Sequence, residues 1–268
     1  MAFYAANFAY NGIISSEYGL QITSSFSEDT SAGASIEILS QEMYRRPKPL
    51  LLGVQQKPVL EIPIEINTQY ELSAMEDSVI SNWLFGNLNY KKLQILQPDM
   101  QYIYFNCIFK DKETVRVGNI IRGYKAVISC DSPFAWEYPR QVIKTYGDIE
   151  PSVFSSFTIN NTSDNADYTY PTITVTANNV GGYISLTNND DTENGVARRL
   201  YITNLPPNEI VTIDNDLQTI TASPSGINLL PYFSGYKWVR YVKGKNNFYL
   251  TGNVKEITFE HEFARKVS

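Results

Sequence analysis

The chain carries one histidine and two cysteines in 268 residues. That scarcity removes much chemistry at once. A closed Cys/His zinc site needs four ligands, and Cys107 and Cys130 lack the short CxxC spacing that such sites use. A catalytic dyad or triad would have to use His261, which alternates with Phe259 and Phe263 in "EITFEHEF" as strand residues do. GxxxxGK[ST], GxGxxG and GxSxG are all missing, and with them phosphate cradles and nucleophile elbows. The expectation is a protein with no catalytic residue, no bound cofactor and no metal. Long apolar runs are missing too: nothing approaches the roughly 20 apolar residues of a membrane helix, so no membrane partner is expected. Basic charge is in deficit, with 22 Lys and Arg against 28 Asp and Glu and a net charge of -6, which argues against specific nucleic-acid binding. The one basic cluster, "YRRPKP" from Tyr44 to Pro49, reads as a stiff solvated loop or a subunit contact. The first residues lack the basic start, apolar run and small-residue cleavage site of a secretory signal, so export by that route is not expected. Both cysteines lie in strand-like text and read as buried free thiols rather than a disulfide.

What is present is strand text with ample apolar content. The chain is long for one core, and two domains are expected. In "KPVLEIPIEI", Leu60, Ile62, Ile64 and Ile66 share one face with Glu61 and Glu65 opposite, a period of two that fits a half-buried strand. Pro63 cannot donate to a ladder and predicts an edge or a bulge. "YIYFNCIF" and "GYKAVISC" continue the sheet. One segment has helical period: Leu72, Met75, Val79, Ile80, Trp83 and Leu84 predict one apolar face, with Trp83 and Leu84 as the anchor that fixes helix to sheet. Its start is either Thr68 with Glu71 or Ser73 with Glu76, each a capping box, and its stop is Gly86 with Asn87.

Beyond the midpoint the text turns to Asn, Thr and short strands at intervals of about ten residues, which predicts an all-β sandwich or barrel. "NNDDTENG", Asn188 to Gly195, fails as a calcium loop because Tyr201 stands where a bidentate Glu is needed, and it reads as a polar hairpin closing on Asn194-Gly195. Between the halves lies "CDSPFAWEYPR". Pro133 and Pro139 supply rigid turns, and Phe134, Trp136 and Tyr138 supply bulk, so it reads as a domain junction. The expected division is a first domain over 1–138, a linker over 139–156 and a second domain over 157–268.

In order and spacing, "LLLG", "KPVLEIPIEI", a helix ending "ISNWLFG", "KKLQIL" and "AVISCDSPFAWE" resemble the N-terminal domain of the distal tail proteins of long-tailed bacteriophages. "PTITV", "LYITNLPPNEIVTID" and "KWVRYVKGKNNFYLTGNVKEITFEHEF" are similar in pattern to their second domain. The resemblance implies a mainly β fold, with a split-barrel-like, ring-forming belt domain carrying one helix, followed by a galectin-like β-sandwich. It implies a homo-hexameric ring in the virion, between the tail tube protein and the tail-tip protein (the tail-associated lysin), offering its outer domain to receptor-binding proteins. The rival expectation is a carbohydrate-binding module for host attachment. The galectin strand motifs are missing: neither Trp136 nor Trp238 is followed by Gly, and a lectin would have to rely on Tyr236, Trp238 or Tyr241 as exposed platforms.

Overall fold

The computed structural model describes residues 6–23, 36–44, 47–56, 59–148 and 152–267. The chain forms two compact units, Met1–Tyr138 joined by Ala264–Ser268, and Pro139–Phe263. Arg45 and Arg46 of the basic cluster lie outside the described residues.

The first unit holds β1 (Phe8–Tyr10), β2 (Ile13–Ile14), β3 (Leu20–Thr23), β4 (Ile36–Gln41), β5 (Leu50–Gln56), β6 (Glu61–Leu72), α1 (Ala74–Phe85), β7 (Lys91–Ile95), β8 (Ile103–Val117), β9 (Ile120–Cys130) and β10 (Ala135–Glu137). Its main sheet runs β2-β1-β7-β8-β9-β6-β3, antiparallel at every pairing. Ala6, just before β1, and Ile22 of β3 exchange hydrogen bonds of 3.0 and 2.9 Å as an isolated bridge, and the sheet does not close into a barrel. β4 and β5 stand apart as a two-stranded sheet.

Sequence period explains β6. Leu60, Ile62, Ile64 and Ile66 are all buried. The Leu60 carbonyl accepts from Cys130 N–H, so even-numbered residues turn their backbone polar groups to β9 and odd-numbered ones turn away. Pro63 therefore puts its missing donor on the side away from β9. β3 pairs only with Glu65 to Thr68, and no ladder bond is lost there.

The helix begins at Ser73, whose hydroxyl accepts from Glu76 N–H at 3.2 Å while the Glu76 carboxylate accepts from Ser73 N–H at 2.8 Å. The alternative start at Thr68 falls inside β6. At the other end Asn87 Nδ2 donates to the Trp83 carbonyl at 2.7 Å. Gly86 is needed there for room: a Cβ would lie 2.5 Å from the Asn82 carbonyl oxygen. The expected apolar face is narrower than the sequence suggests. Ile80, Trp83 and Leu84 are buried, but Met75 and Val79 are 79% and 45% exposed. At about 100° per residue Met75 and Val79 lie on the flank turned from the sheet.

The second unit contains β11 (Arg140–Thr145), β12 (Val153–Asn161), β13 (Thr172–Ala177), β14 (Gly182–Glu193), β15 (Val196–Leu205), β16 (Ile210–Asp214), β17 (Thr219–Ser223), β18 (Gly244–Gly252) and β19 (Val254–His261). It is a sandwich of two antiparallel sheets, β11-β19-β13-β16-β17 and β12-β18-β14-β15. Ile173, Val175, Val211, Ile213 and Phe259 from one sheet meet Ile184, Leu186, Ile202, Phe248 and Leu250 from the other in one core. The Asn188–Gly195 segment does form a hairpin, with Asn194 and Gly195 at φ 53° and 78°, the left-handed pair a tight turn demands.

Two boundaries need correction. Much of the expected linker is strand: Arg140–Thr145 pairs with β19 along its whole length, and β12 already starts at Val153. β11 has one neighbour and no fully buried side chain, so its period is faint. The chain end also leaves the second unit. β20 (Ala264–Arg265) pairs with β10, and Val267 is buried in the first unit's core, a return that two strand residues cannot announce in sequence.

Candidate assembly surface

Trp83 is built into the first unit's core and is 7% exposed. Its Nε1 donates to the Tyr10 carbonyl at 3.0 Å, its ring stacks on Phe8 with centroids 5.8 Å apart and planes 2° from parallel, and Tyr18 packs at 5.1 Å. Leu84 beside it is fully buried. Asp77, one turn into the helix, accepts from Tyr124 at 2.8 Å and pairs with Lys112 at 3.4 Å. Partial burial works against its charged form, but these partners win and hold its carboxyl below the ordinary value.

The junction residues belong locally to the first unit. Ser132 Oγ accepts from Phe134 N–H at 3.3 Å and closes the bend that carries Pro133, Phe134 is buried, and Trp136 lies in β10 opposite Tyr104 of β8 and Ala264 of β20. Arg265 Nε donates to Glu137 at 2.6 Å and ties the chain end to this strand. Tyr138, 40% exposed, lies against Tyr104 at 5.4 Å, and Pro139 opens the second unit.

In the second unit a set of buried polar side chains pairs within the unit. Asn188 Nδ2 donates to the Arg240 carbonyl and to Asn246 Oδ1 at 3.0 and 2.9 Å, and Asn246 Nδ2 donates to the carbonyls of Val242 and Gly244 at 2.8 and 3.0 Å. Asp191, 2% exposed, pairs with Arg198 at 3.0 Å and with both ends of the Arg240 fork at 2.9 and 3.1 Å. Arg240 lies 3.5 Å from the Tyr168 ring centre. His261 is a buried strand residue between Tyr241 and Phe263. Tyr241 is not the exposed platform a lectin would need: it is fully buried, because inward alternation from Val239 carries it into the core. Trp238 is half-buried against Phe233 at 4.8 Å, and Tyr236 alone of the three is well exposed. Among the described residues no group of three or more His, Cys, Asp or Glu is placed to hold a metal ion.

What sequence reasoning missed is the β4–β5 hairpin. Ile38, Leu51 and Leu52 are 66%, 61% and 61% exposed, and Leu39, Met43, Tyr44 and Leu50 are exposed as well. Leu50, Leu51 and Leu52 are consecutive, so apolar side chains are bare on both faces of the ribbon. The signal was the run "LLLG", since three consecutive leucines put apolar side chains on both faces of a strand. A lone two-stranded ribbon is marginal in water, and contiguous bare apolar surface marks a place of association.

Family comparison agrees with this picture of a part made to be assembled. Residues 3–132 match the profile of a phage tail protein N-terminal domain, and residues 134–261 match that of a phage tail C-terminal domain. The chain belongs to the phage tail protein family. Known structures extend the likeness over its full length. This tail protein is similar to the Dit protein of phage SPP1 at 13% identity and a TM-score of 0.70, over 97% of this chain and 100% of that one. Chains of the phage P2 baseplate in its activated conformation, with calcium and with strontium, are similar at a TM-score of 0.57, with 8% and 10% identity over 97% and 98% of this chain and 98% and 99% of theirs. At such identities the likeness concerns the fold. No curated protein sequence matches.

Proposed function

We propose that this tail protein is a ring-forming hub of the tail tip. Six copies close head to tail around the tail axis, join the tail tube protein to the tail-tip lysin, and offer the second unit to receptor-binding proteins. Assembly takes place in the host cytoplasm and the finished ring resides in the virion. The observation that carries this reading is the end-to-end fold likeness to the SPP1 Dit protein, a paradigm of the hub adsorption apparatus in phages infecting Gram-positive hosts. The hairpin supports it, since a heterologous contact needs one subunit to present a surface that its neighbour covers. The negative net charge suits a wall past which DNA slides without sticking. The segment from Pro133 to Pro139 is the domain junction, its prolines supplying the turns.

The test is mass in solution. With subunits of 30.4 kDa a closed six-membered ring has a mass of roughly 180 kDa by light scattering. A chain that stays monomeric at high concentration with the tail-tip protein present would overturn the hub reading.

A further inference from the structure

Cys107 of β8 and Cys130 of β9 are direct register partners, and both are fully buried free thiols. Their backbone setting decides how close they come. Cys130 N–H donates to the Leu60 carbonyl on the β6 side, whereas Asp131 N–H donates to the Asn106 carbonyl on the β8 side, each at 2.9 Å. Cys107 and Cys130 therefore form a non-hydrogen-bonded pair, flanked by the bonded pair Asn106 and Asp131. In such a pair the Cα atoms lie about 4.5 Å apart and the side chains approach most closely. That spacing falls within the roughly 4.4 to 6.8 Å that a disulfide spans, at its short end. Both side chains point into the core between Phe105, Phe109 and Ile128, so neither faces a competing thiol.

We propose that Cys107 and Cys130 are a disulfide-forming site, closed by a two-electron oxidant across β8 and β9 once the protein leaves reducing surroundings. Two S–H bonds break and one S–S bond forms. The two protons and two electrons go to the oxidant: dioxygen becomes hydrogen peroxide, and a diazene becomes the hydrazine. Part of a virion is exposed to dioxygen after release, and oxidising surroundings are where such bonds persist. Closure staples β8 to β9, neighbours in the main sheet of the first unit. Burial, the neighbouring thiol and Asp131 push the Cys107 thiol well above its ordinary value, and burial with Asp131 pushes Cys130 up to about 12. Since the thiolate is the reactive form, closure is slow at neutral pH and accelerates as pH rises.

The experiment uses the full chain, reduced, freed of reductant and left folded, then held with excess diamide at mildly alkaline pH. It is quenched in acid, denatured and treated with N-ethylmaleimide. The expected product is a monomer lighter by two hydrogens that takes up no maleimide, yields a linked Cys107 and Cys130 peptide, and melts a few degrees higher until dithiothreitol reverses the shift. Two maleimides on the treated monomer would overturn the proposal, as would dimers linked through either cysteine or closure seen only in denaturant. No variant is needed for this reading, so a substitution that fails to fold leaves it testable.

Discussion

In the first unit the largest side chains gather around one helix: Phe8, Tyr10, Tyr18, Phe85 and Phe109 surround Trp83 or its neighbours, while a hairpin nearby in sequence leaves Ile38, Leu51 and Leu52 in water. In the second unit the order is reversed. Strand alternation puts apolar groups inside almost without exception along β13, β16 and β19, and the buried polar groups Asn188, Asn246 and Asp191 are matched by partners of the same unit. The second unit leaves large apolar side chains bare too, Phe154, Val196 and Leu217 among them, but on separate elements, whereas the first unit gathers Ile38, Leu39, Leu50, Leu51 and Leu52 on one two-stranded ribbon. Apolar area removed from water is worth roughly 25 cal/mol per Å², so surface left bare by one chain is free energy available to a contact.

The sharpest way to break this comparison is Trp83→Ala. Loss of the indole leaves a cavity among Phe8, Tyr10 and Tyr18, and the first unit should lose about 3 to 5 kcal/mol by denaturant titration. The second unit should keep its own transition. A single transition in which both fall together would show that the units are not independent.

Asn246→Ala probes the other side. It strips a buried amide from the Val242 and Gly244 carbonyls and from Asn188, and should destabilise the second unit by about 1 to 3 kcal/mol. An effect indistinguishable from zero in the second transition would mean that water replaces the network. Next comes Ser73→Ala, which removes one half of the capping box and should cost about 1 kcal/mol, read from the first transition alone.

pH sharpens the same point. Hydrogen bonds from the Ser73 hydroxyl and backbone hold Glu76 below its ordinary value, and Asp77 is held low against its own burial by Tyr124 and Lys112. Their folded-state values are depressed, so their contribution is present above the ordinary carboxylate range and is lost as pH falls through the folded values. The helix should therefore loosen on the acid side, read from Trp83 fluorescence with Trp136 and Trp238 replaced by Phe. In the second unit the hydrogen bond from Lys237 likewise holds Glu193 low, but that carboxylate is exposed and lies in strand β14. The smallest effect on folding belongs to the hairpin. Replacing Leu50, Leu51 and Leu52 together by Ser should shift stability by no more than about 0.5 kcal/mol per residue, as for exposed sites generally, yet abolish the ring mass. A ring that persists would move the intersubunit contact elsewhere.

Much of this was legible in the amino-acid order. Leu60 to Ile66, Phe105 to Phe109 and Ala126 to Cys130 announce their buried faces by a period of two, and the roughly ten-residue rhythm of the second half announces a sandwich. Trp83 and Leu84 stand on the buried side of α1, but Met75 and Val79 do not, because period alone cannot say how wide a stripe the sheet will cover. Thr68 and Ser73 offered equal caps, and only the length of β6, running to Leu72, chose between them. Arg140 to Thr145 looked like a linker since an edge strand with half-exposed side chains has little pattern to read.

Residue type and alternation alone settle the class of the protein: mainly β, with one capped helix among the described residues, two cores, and too little His and Cys for a closed Cys/His zinc site. Those properties are local, set by side-chain alternation and residue type. The tertiary structure decided what depends on partners distant in the chain. It put Cys107 opposite Cys130, sent Tyr241 into the core, drew Ala264 to Val267 back to the first unit, and left the β4–β5 ribbon bare. Register and coverage are properties of the pair that meets, and a strand carries in its own residues only the face it wishes to bury.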